Sequence, residues 1–144
     1  MIGGNSGQHE GNRVQYRHET DASNFDNPAD VGTGGVIVNL SGQDEHGVDG
    51  VTGQGDNITV SAHHALDSFG DTDTLQNIDN VDGTRFADYI VASDNGSDIA
   101  GYAGNDTITG SQHWDSVDYF NETRGNRDDG TKGVVINLSA SALT

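Results

Sequence analysis

Four consecutive nonapeptides in the second half of the chain place aspartate at a repeating position. Read from Gly83, they are GTRFADYIV, ASDNGSDIA, GYAGNDTIT and GSQHWDSVD. The sixth place holds Asp88, Asp106 and Asp115 in three of the four repeats. Carboxylate oxygens are the ligands that hard cations such as calcium prefer. The repeated aspartates therefore indicate a binding site for a hard cation.

The same nonapeptides carry the residues needed to position those carboxylates. Glycine opens three of the four repeats, and an aliphatic residue stands at the eighth place of each one. Those aliphatic residues are Ile90, Ile99, Ile108 and Val117. Gly, Asn and Asp tolerate left-handed backbone angles, and short apolar runs between them are typical of strands. Each repeat thus predicts a turn followed by a short strand.

The rest of the chain has the same strand-and-turn character. No window shows a convincing helical stripe, and Val, Ile and Leu occur in short bursts between Gly, Asn and Asp. The burst at 36–40 alternates, which puts Val36, Val38 and Leu40 on one face of a strand.

A longer duplication frames the nonapeptides. GVIVNLS at 35–41 recurs as GVVINLS at 133–139, and each copy follows a Val-x-Tyr element, at 14–16 and at 117–119. Self-similarity of this kind is the sequence signature of a repeat architecture. The chain therefore reads as a segment of a longer array.

Composition narrows the possible partners. The 144 residues include 21 Gly, 1 Pro and no Cys, and only 31% are hydrophobic. With 23 acidic and 6 basic residues the net charge is −17, which argues against nucleic acid, whose phosphates need Lys and Arg clusters. No apolar run approaches the length of a membrane span, and the N-terminal residues lack the pattern of a secretory signal peptide. Water in a salty medium or hard cations remain as partners.

One nonapeptide matches a known repeat closely. GYAGNDTIT at 101–109 resembles G-G-x-G-x-D-x-U-x, the calcium-binding nonapeptide of the RTX, or hemolysin-type, family, with Tyr102 in place of the second glycine. The stretch DTLQNIDNVDGTRFADYI at 73–90 is also similar to stretches common in large exported RTX-type proteins. The resemblance covers most of residues 33–140, whereas the metal-binding signature covers only 83–118.

The resemblance implies an all-β fold, a right-handed parallel β-roll or β-solenoid with calcium-binding turns. Residues 1–144 would form a single segment of it, with longer, irregular rungs at 1–82 and 119–144 and floppy loops near 17–33 and 121–131. Two repeats complete one coil in such a roll, so residues eighteen apart stack. This implies that Ile90 lies over Ile108 in one sheet, that Ile99 lies over Val117 in the other, and that all four point inward.

The family also implies a ligand set. Asp88 and Asp106 would lie side by side in stacked turns, where a divalent cation converts their repulsion into attraction. Backbone carbonyls would complete the coordination, and we expect them from Gly83, Gly101, Ala103 and Gly104. A second stack is weaker, because Asp115 would pair with Ser97. Asp98 and Asp94 are close enough in sequence for a distorted second site, with Asp98 and Asp115 as its carboxylates.

Simpler explanations exist for the same residues. The aspartates could be turn residues of a metal-free solenoid, or the repeats could be a coincidence in a disordered acidic segment. His63 and His64 could suggest a transition metal, but adjacent residues of a strand point to opposite faces. We expect them to be solvated. Asn77 and Asn80 are expected to satisfy backbone groups inside turns.

The functional expectation is a calcium-binding module that folds after export, as a structural part of a secreted or cell-surface protein, with type I secretion as the implied route. We expect no catalytic residues, because no nucleophile with a base partner, P-loop or dinucleotide motif is present. We also expect calcium ions as partners, no membrane span, and a monomeric segment of a longer chain. The alternatives are a calcium-dependent adhesin or glycan-binding segment, and a non-catalytic appendage of a secreted hydrolase or polysaccharide-modifying enzyme.

Overall fold

Strands dominate the part of the chain that the computed structural model describes, residues 11–119. Helical structure there is limited to short 3₁₀ turns at Tyr16–His18, Ala22–Asn24 and Pro28–Asp30. The strands are β1 Asn12–Gln15, β2 Ile37–Asn39, β3 Glu45–Val48, β4 Ile58–Val60, β5 His64–Leu66, β6 Thr72–Thr74, β7 Ile78–Asp82, β8 Tyr89–Val91, β9 Asp98–Ala100, β10 Thr107–Thr109 and β11 Ser116–Val117. The expected all-β class is confirmed.

The parallel strands are divided between two sheets. Sheet A has the order β1-β7-β9-β11, and every neighbouring pair in it is parallel. Sheet B has the order β10-β8-β2-β5-β6, in which β10, β8 and β2 are parallel. From β7 to β11 the chain alternates between the sheets, one strand for each nonapeptide. The turns of successive repeats therefore lie along the two edges where the chain crosses from sheet to sheet.

The strand register stacks aliphatic residues in two rows. In sheet A, Val14 pairs with Val81, Val81 with Ile99, and Ile99 with Val117. In sheet B, Val38 pairs with Ile90 and Ile90 with Ile108. The predicted pairing of residues eighteen apart is thus confirmed for both sheets. These rows form the main core, which also contains Val36, Leu40, Ala65 and Tyr16.

Both faces of β2 are buried. Val36, Val38 and Leu40 face the main core, as their alternation predicts. Ile37 points the other way, into a second cluster with Val48, Val51 and Val60. A continuous apolar run is typical of a strand covered on both sides.

The part of the chain before residue 83 is more elaborate than the expected long, irregular rungs. β1 and β2 stack in parallel on β7 and β8, but between β2 and β7 the strands β3 and β4 pair antiparallel, and β5 and β6 extend sheet B antiparallel from β2. Left-handed glycines at 47, 50, 53 and 70 allow the tight reversals that this excursion needs. Val117, which is expected to point inward, is not buried: its side chain is 37% exposed, and β11 is the outermost described strand of sheet A.

Some expectations concern residues outside the described part. The second GVxxNLS copy, the rung after residue 119 and the loop at 121–131 lie there.

Candidate functional site

Asp88 is the most deeply buried of the repeated aspartates. Its residue is only 2% exposed, and its carboxylate accepts hydrogen bonds from two partners. Oδ1 accepts from the Val36 N–H at 2.8 Å and from the Thr84 hydroxyl at 2.8 Å, while Oδ2 accepts from the Thr84 N–H at 2.6 Å. A buried carboxylate costs free energy unless donors of this kind surround it.

The burial of Asp88 changes its acidity. Desolvation raises the pKa of Asp88 from 3.8 to about 7, and the bonds from Thr84 and Val36 offset only part of that rise. The groups that donate to this carboxylate are neutral, and among residues 11–119 no cationic side chain forms an ion pair with it. A nearby cation would favour the ionised form.

The aspartates of the next turns repeat the arrangement. Asp106 Oδ1 accepts from the N–H of Asp88 at 3.1 Å, and Asp115 Oδ1 accepts from the N–H of Ser97 at 2.9 Å. Asp115 Oδ2 also accepts from the Ser111 N–H in its own turn at 2.6 Å. The donors Asp88 and Ser97 stand eighteen residues before the aspartates that accept from them, at the sixth place of the second repeat back. The sixth-place side chain thus closes its own turn and links it to the turn that lies eighteen residues earlier.

The glycines at the first place leave room for these carboxylates. A Cβ on Gly83 would lie 2.4 Å from Asp88 Oδ2, and a Cβ on Gly101 would lie 2.3 Å from Asp106 Oδ2. Real Cβ atoms do not approach an oxygen so closely, so only glycine fits. The one repeat without a first-place glycine has Ala92 there, and its sixth place is the shorter Ser97.

Gly104 is required by the stacking of the turns themselves. Its φ is +135°, and a Cβ on it would lie 2.5 Å from the carbonyl oxygen of Phe86 in the adjacent turn. Ala103 beside it is buried. Both residues therefore lie where one turn packs on the next, and their expected role as carbonyl ligands stays a prediction.

The carboxylates expected at the second stack have different partners. Asp98 lies in β9 and lines a depression on the outer face of sheet A, whereas Asp115 is engaged by the turn N–H groups of Ser97 and Ser111. Asp94 accepts from the N–H of Gly42 at 2.9 Å. Within residues 11–119 these carboxylates form no metal-holding group, and their use as ligands of one ion stays a prediction.

At the first stack, two oxygens of the kind that calcium takes lie near the position of a first-place Cβ. A Cβ on Gly83 would lie 2.4 Å from Asp88 Oδ2 and 3.1 Å from the carbonyl oxygen of Gly101. One oxygen thus comes from each of two stacked turns. Within residues 11–119, no group of three or more His, Cys, Asp or Glu side chains is arranged to hold a metal ion. A calcium ion bound here would therefore need backbone carbonyls as further ligands.

The remaining polar residues have structural partners. His64 Nδ1 lies 2.8 Å from the carbonyl oxygen of Ala62. Asn80 donates to the Gly11 carbonyl and accepts from the Asp98 N–H, so it does satisfy backbone groups, but from strand β7 rather than from a turn. Asn77 takes a left-handed angle, φ +55°.

Sequence reasoning missed a buried charge cluster on the outer face of sheet A. Asp82 is 4% exposed and pairs with Arg13, and its Oδ2 accepts from Gln15 Nε2 at 2.9 Å. Arg17 Nε lies 3.4 Å from the same oxygen. Nothing in the local sequence signals this cluster, because strand pairing brings together residues 69 apart.

No helix in the described part of the chain is long and apolar enough to cross a membrane. Compared with known proteins, the chain matches no family model, no curated protein and no solved structure.

Proposed function

We propose that the chain is a calcium-binding β-roll module, a structural part of a secreted or cell-surface protein that folds when it meets calcium outside the cell. The observation that carries the proposal is the stack of sixth-place aspartates, whose carboxylates link turns eighteen residues apart. First-place glycines make room for these carboxylates over their turns. The alternation of parallel strands between two sheets supports the roll architecture.

Asp88, Asp106 and the carbonyl of Gly101 would hold the ion. Carbonyls of Gly83, Ala103 and Gly104 are further candidates from the resemblance to the RTX repeat. When bound, calcium supplies the positive charge that the buried carboxylate of Asp88 otherwise lacks. The backbone N–H groups that these carboxylates accept from compete with the ion. We therefore expect an affinity in the range of about 10⁻⁴ to 10⁻³ M that is usual for extracellular calcium modules.

Net charge supports coupling between calcium and folding. A chain with a charge of −17 brings carboxylates together when it folds, and this costs free energy. A cation that binds only the folded chain stabilises it by about 2.7 kcal/mol at a hundredfold excess over its Kd. That gain is a large fraction of the stability of a domain with so little apolar core.

Far-UV circular dichroism during a calcium titration tests the proposal, with magnesium as the control ion. We expect the β signal to grow with calcium and to respond weakly to magnesium, which demands a tighter octahedron and sheds water reluctantly. The same β content in chelator as in millimolar calcium would contradict calcium-coupled folding.

A pair of matched variants locates the site. Asp106→Asn removes the charge from the first stack but leaves an oxygen to accept the N–H of Asp88. Asp115→Asn makes the same change in the second stack, which has Ser97 in place of a second carboxylate. We expect Asp106→Asn to weaken calcium binding measured by calorimetry several-fold more than Asp115→Asn. Equal effects would place the ion elsewhere.

A further inference from the structure

A depression of about 470 Å³ opens on the outer face of sheet A, on the side opposite the aliphatic row. Its volume lies within the range of small-molecule sites. The chain reaches it from β1, β7, β9 and β11, so parallel pairing rather than one loop builds it. Ala100, which lines the depression, pairs with Asp82 in the strand register. Its polar lining consists of Arg13, Gln15, Asp82, Asp98, Ser116 and Asp118, together with Tyr102.

One wall of this groove is held rigidly. Asp82 is fixed by Arg13 and Gln15, and the Tyr102 hydroxyl lies 3.4 Å from Asp82 Oδ2. The guanidinium of Arg17 lies over the Tyr102 ring, 5.8 Å from its centroid. A wall that is ordered before a ligand arrives loses little entropy on binding.

Tyr102 occupies a position that costs backbone strain. Its φ is +65°, a left-handed angle that glycine adopts freely and tyrosine does not. Strained residues of this kind cluster at ligand sites. The Tyr102 side chain, which a glycine at this position would lack, reaches the wall of the groove.

The lining discriminates among classes of ligand. Three carboxylates against one arginine disfavour anions, and the polar walls disfavour apolar molecules. The lining offers carboxylate acceptors, the donors of Arg13 and Gln15, and the hydroxyl of Ser116. This mixture suits a ligand whose groups both donate and accept hydrogen bonds.

We propose that this groove binds a small saccharide that carries no negative charge, either neutral or bearing an amine. Sugar hydroxyls both donate and accept hydrogen bonds, so they match the mixed lining, and an amine would add an ion pair to the carboxylates. The groove adjoins the turn that contains Asp106, because Tyr102 belongs to that turn, but most of its lining comes from the strands of sheet A. Sugar recognition here runs through side chains of the sheet and needs no bridging ion.

Immobilised oligosaccharides of three kinds test the proposal on the folded full chain in calcium: neutral hexose, glucosamine and uronic-acid oligomers, with putrescine as a free competitor. We expect binding to the neutral or glucosamine oligomers and none to the uronic acids. No binding to the neutral and glucosamine oligomers, or equal binding to uronic acids, would overturn the proposal. If putrescine displaced all bound oligomers at the concentration at which free glucosamine displaces them, the proposal would also be overturned. The groove would then recognise the amine alone.

An exposed carboxylate provides the diagnostic variant. Asp118→Asn changes the groove at its outer strand, and Asp56→Asn makes the same change at an exposed site in the loop between β3 and β4, outside the groove lining. We expect Asp118→Asn to weaken saccharide binding by about tenfold, the usual cost of losing a charged hydrogen-bond partner, and Asp56→Asn to leave it unchanged. Equal effects of the two variants would show that overall charge, not the groove, governs binding.

Discussion

The first and sixth places of the nonapeptide are coupled by a direct contact between single residues. Asp88 folds back over Gly83, and Asp106 folds back over Gly101. The backbone at the first place must therefore lack a Cβ in these two repeats, where the sixth-place carboxylate packs so closely. The pair Ala92 and Ser97 follows the same rule with a shorter side chain.

Replacing Gly83 by alanine tests this coupling. The new Cβ would meet the buried Asp88 Oδ2 at 2.4 Å, so we expect a loss of about 1–3 kcal/mol in the free energy of unfolding, the usual cost of overpacking. Gly110→Ala is the matched control, because its Cβ would lie 3.0 Å from the half-exposed Asp115 Oδ2, which can move aside. Urea denaturation of both variants measures the difference. Equal losses would show that the clash with Asp88 is not what requires glycine.

The buried carboxylate of Asp88 also predicts how stability depends on pH. Burial raises its pKa from 3.8 to about 7, so between these values the folded chain holds a proton that the unfolded chain has released. The folded state is then favoured at low pH, and stability contributed by this group declines as pH rises from about 4 to about 7, by roughly 4 kcal/mol in total. We expect this decline in chelator, on top of the general effect of the acidic charge.

Asp88→Asn separates the titration of Asp88 from the general effect of the acidic charge, because an amide does not titrate. In chelator, the free energy of unfolding of the variant should change less between pH 5 and 7.5 than that of the original chain. Calcium should reduce the difference, because a cation beside Asp88 lowers its pKa. Parallel pH profiles for the two chains would mean that Asp88 ionises normally in the folded state.

At the scale of the strands, each short strand contributes mainly one aliphatic side chain to the core. Ile99 lies between Val81 and Val117 in sheet A and is 1% exposed. The stability of the stack therefore depends on residues in the middle of a row, which have neighbours on both sides. Residues at the end of a row have fewer contacts to lose.

Two truncations in the same row test this dependence. Ile99→Ala should cost about 2–5 kcal/mol, the usual price of a cavity in a packed core. Val117→Ala should cost less than about 1 kcal/mol, because Val117 is 37% exposed. Thermal unfolding of both variants in calcium measures the two costs, and a large effect of Val117→Ala would indicate that this residue is packed in solution.

The strand pairing within the nonapeptides was predictable from the resemblance to the RTX repeat, which implies that two repeats complete one coil. Ile90 and Ile108 show this directly. The hairpins β3–β4 and β5–β6 were not predictable, because their strands carry no period that distinguishes parallel from antiparallel pairing. The pairing of Arg13 with Asp82 was equally hidden, since it depends on β1 meeting β7 after a long excursion. For the site, sequence located the aspartates but could not show that backbone N–H groups occupy their oxygens.

For the whole molecule, the dominant electrostatic fact is its charge of −17. Two kinds of cation effect can relieve this repulsion. Any salt screens exposed charges, with a Debye length of about 10 Å at 0.1 M, whereas only a bound ion compensates a buried carboxylate such as Asp88. Because screening depends on ionic strength and binding on the identity of the ion, the two effects can be separated.

The separation requires unfolding measurements in NaCl, MgCl₂ and CaCl₂ at the same ionic strength. Screening alone raises the free energy of unfolding, and the NaCl series measures this baseline. Weak association of divalent ions with surface carboxylates adds an increment that is similar for Mg²⁺ and Ca²⁺. A site made of carboxylates and turn carbonyls adds a further increment for Ca²⁺ that grows logarithmically with its concentration above Kd. We expect this calcium-specific increment in the original chain and its loss in Asp106→Asn. Coincident Mg²⁺ and Ca²⁺ curves would mean that the acidic residues serve a salty medium and that the turns hold no ion.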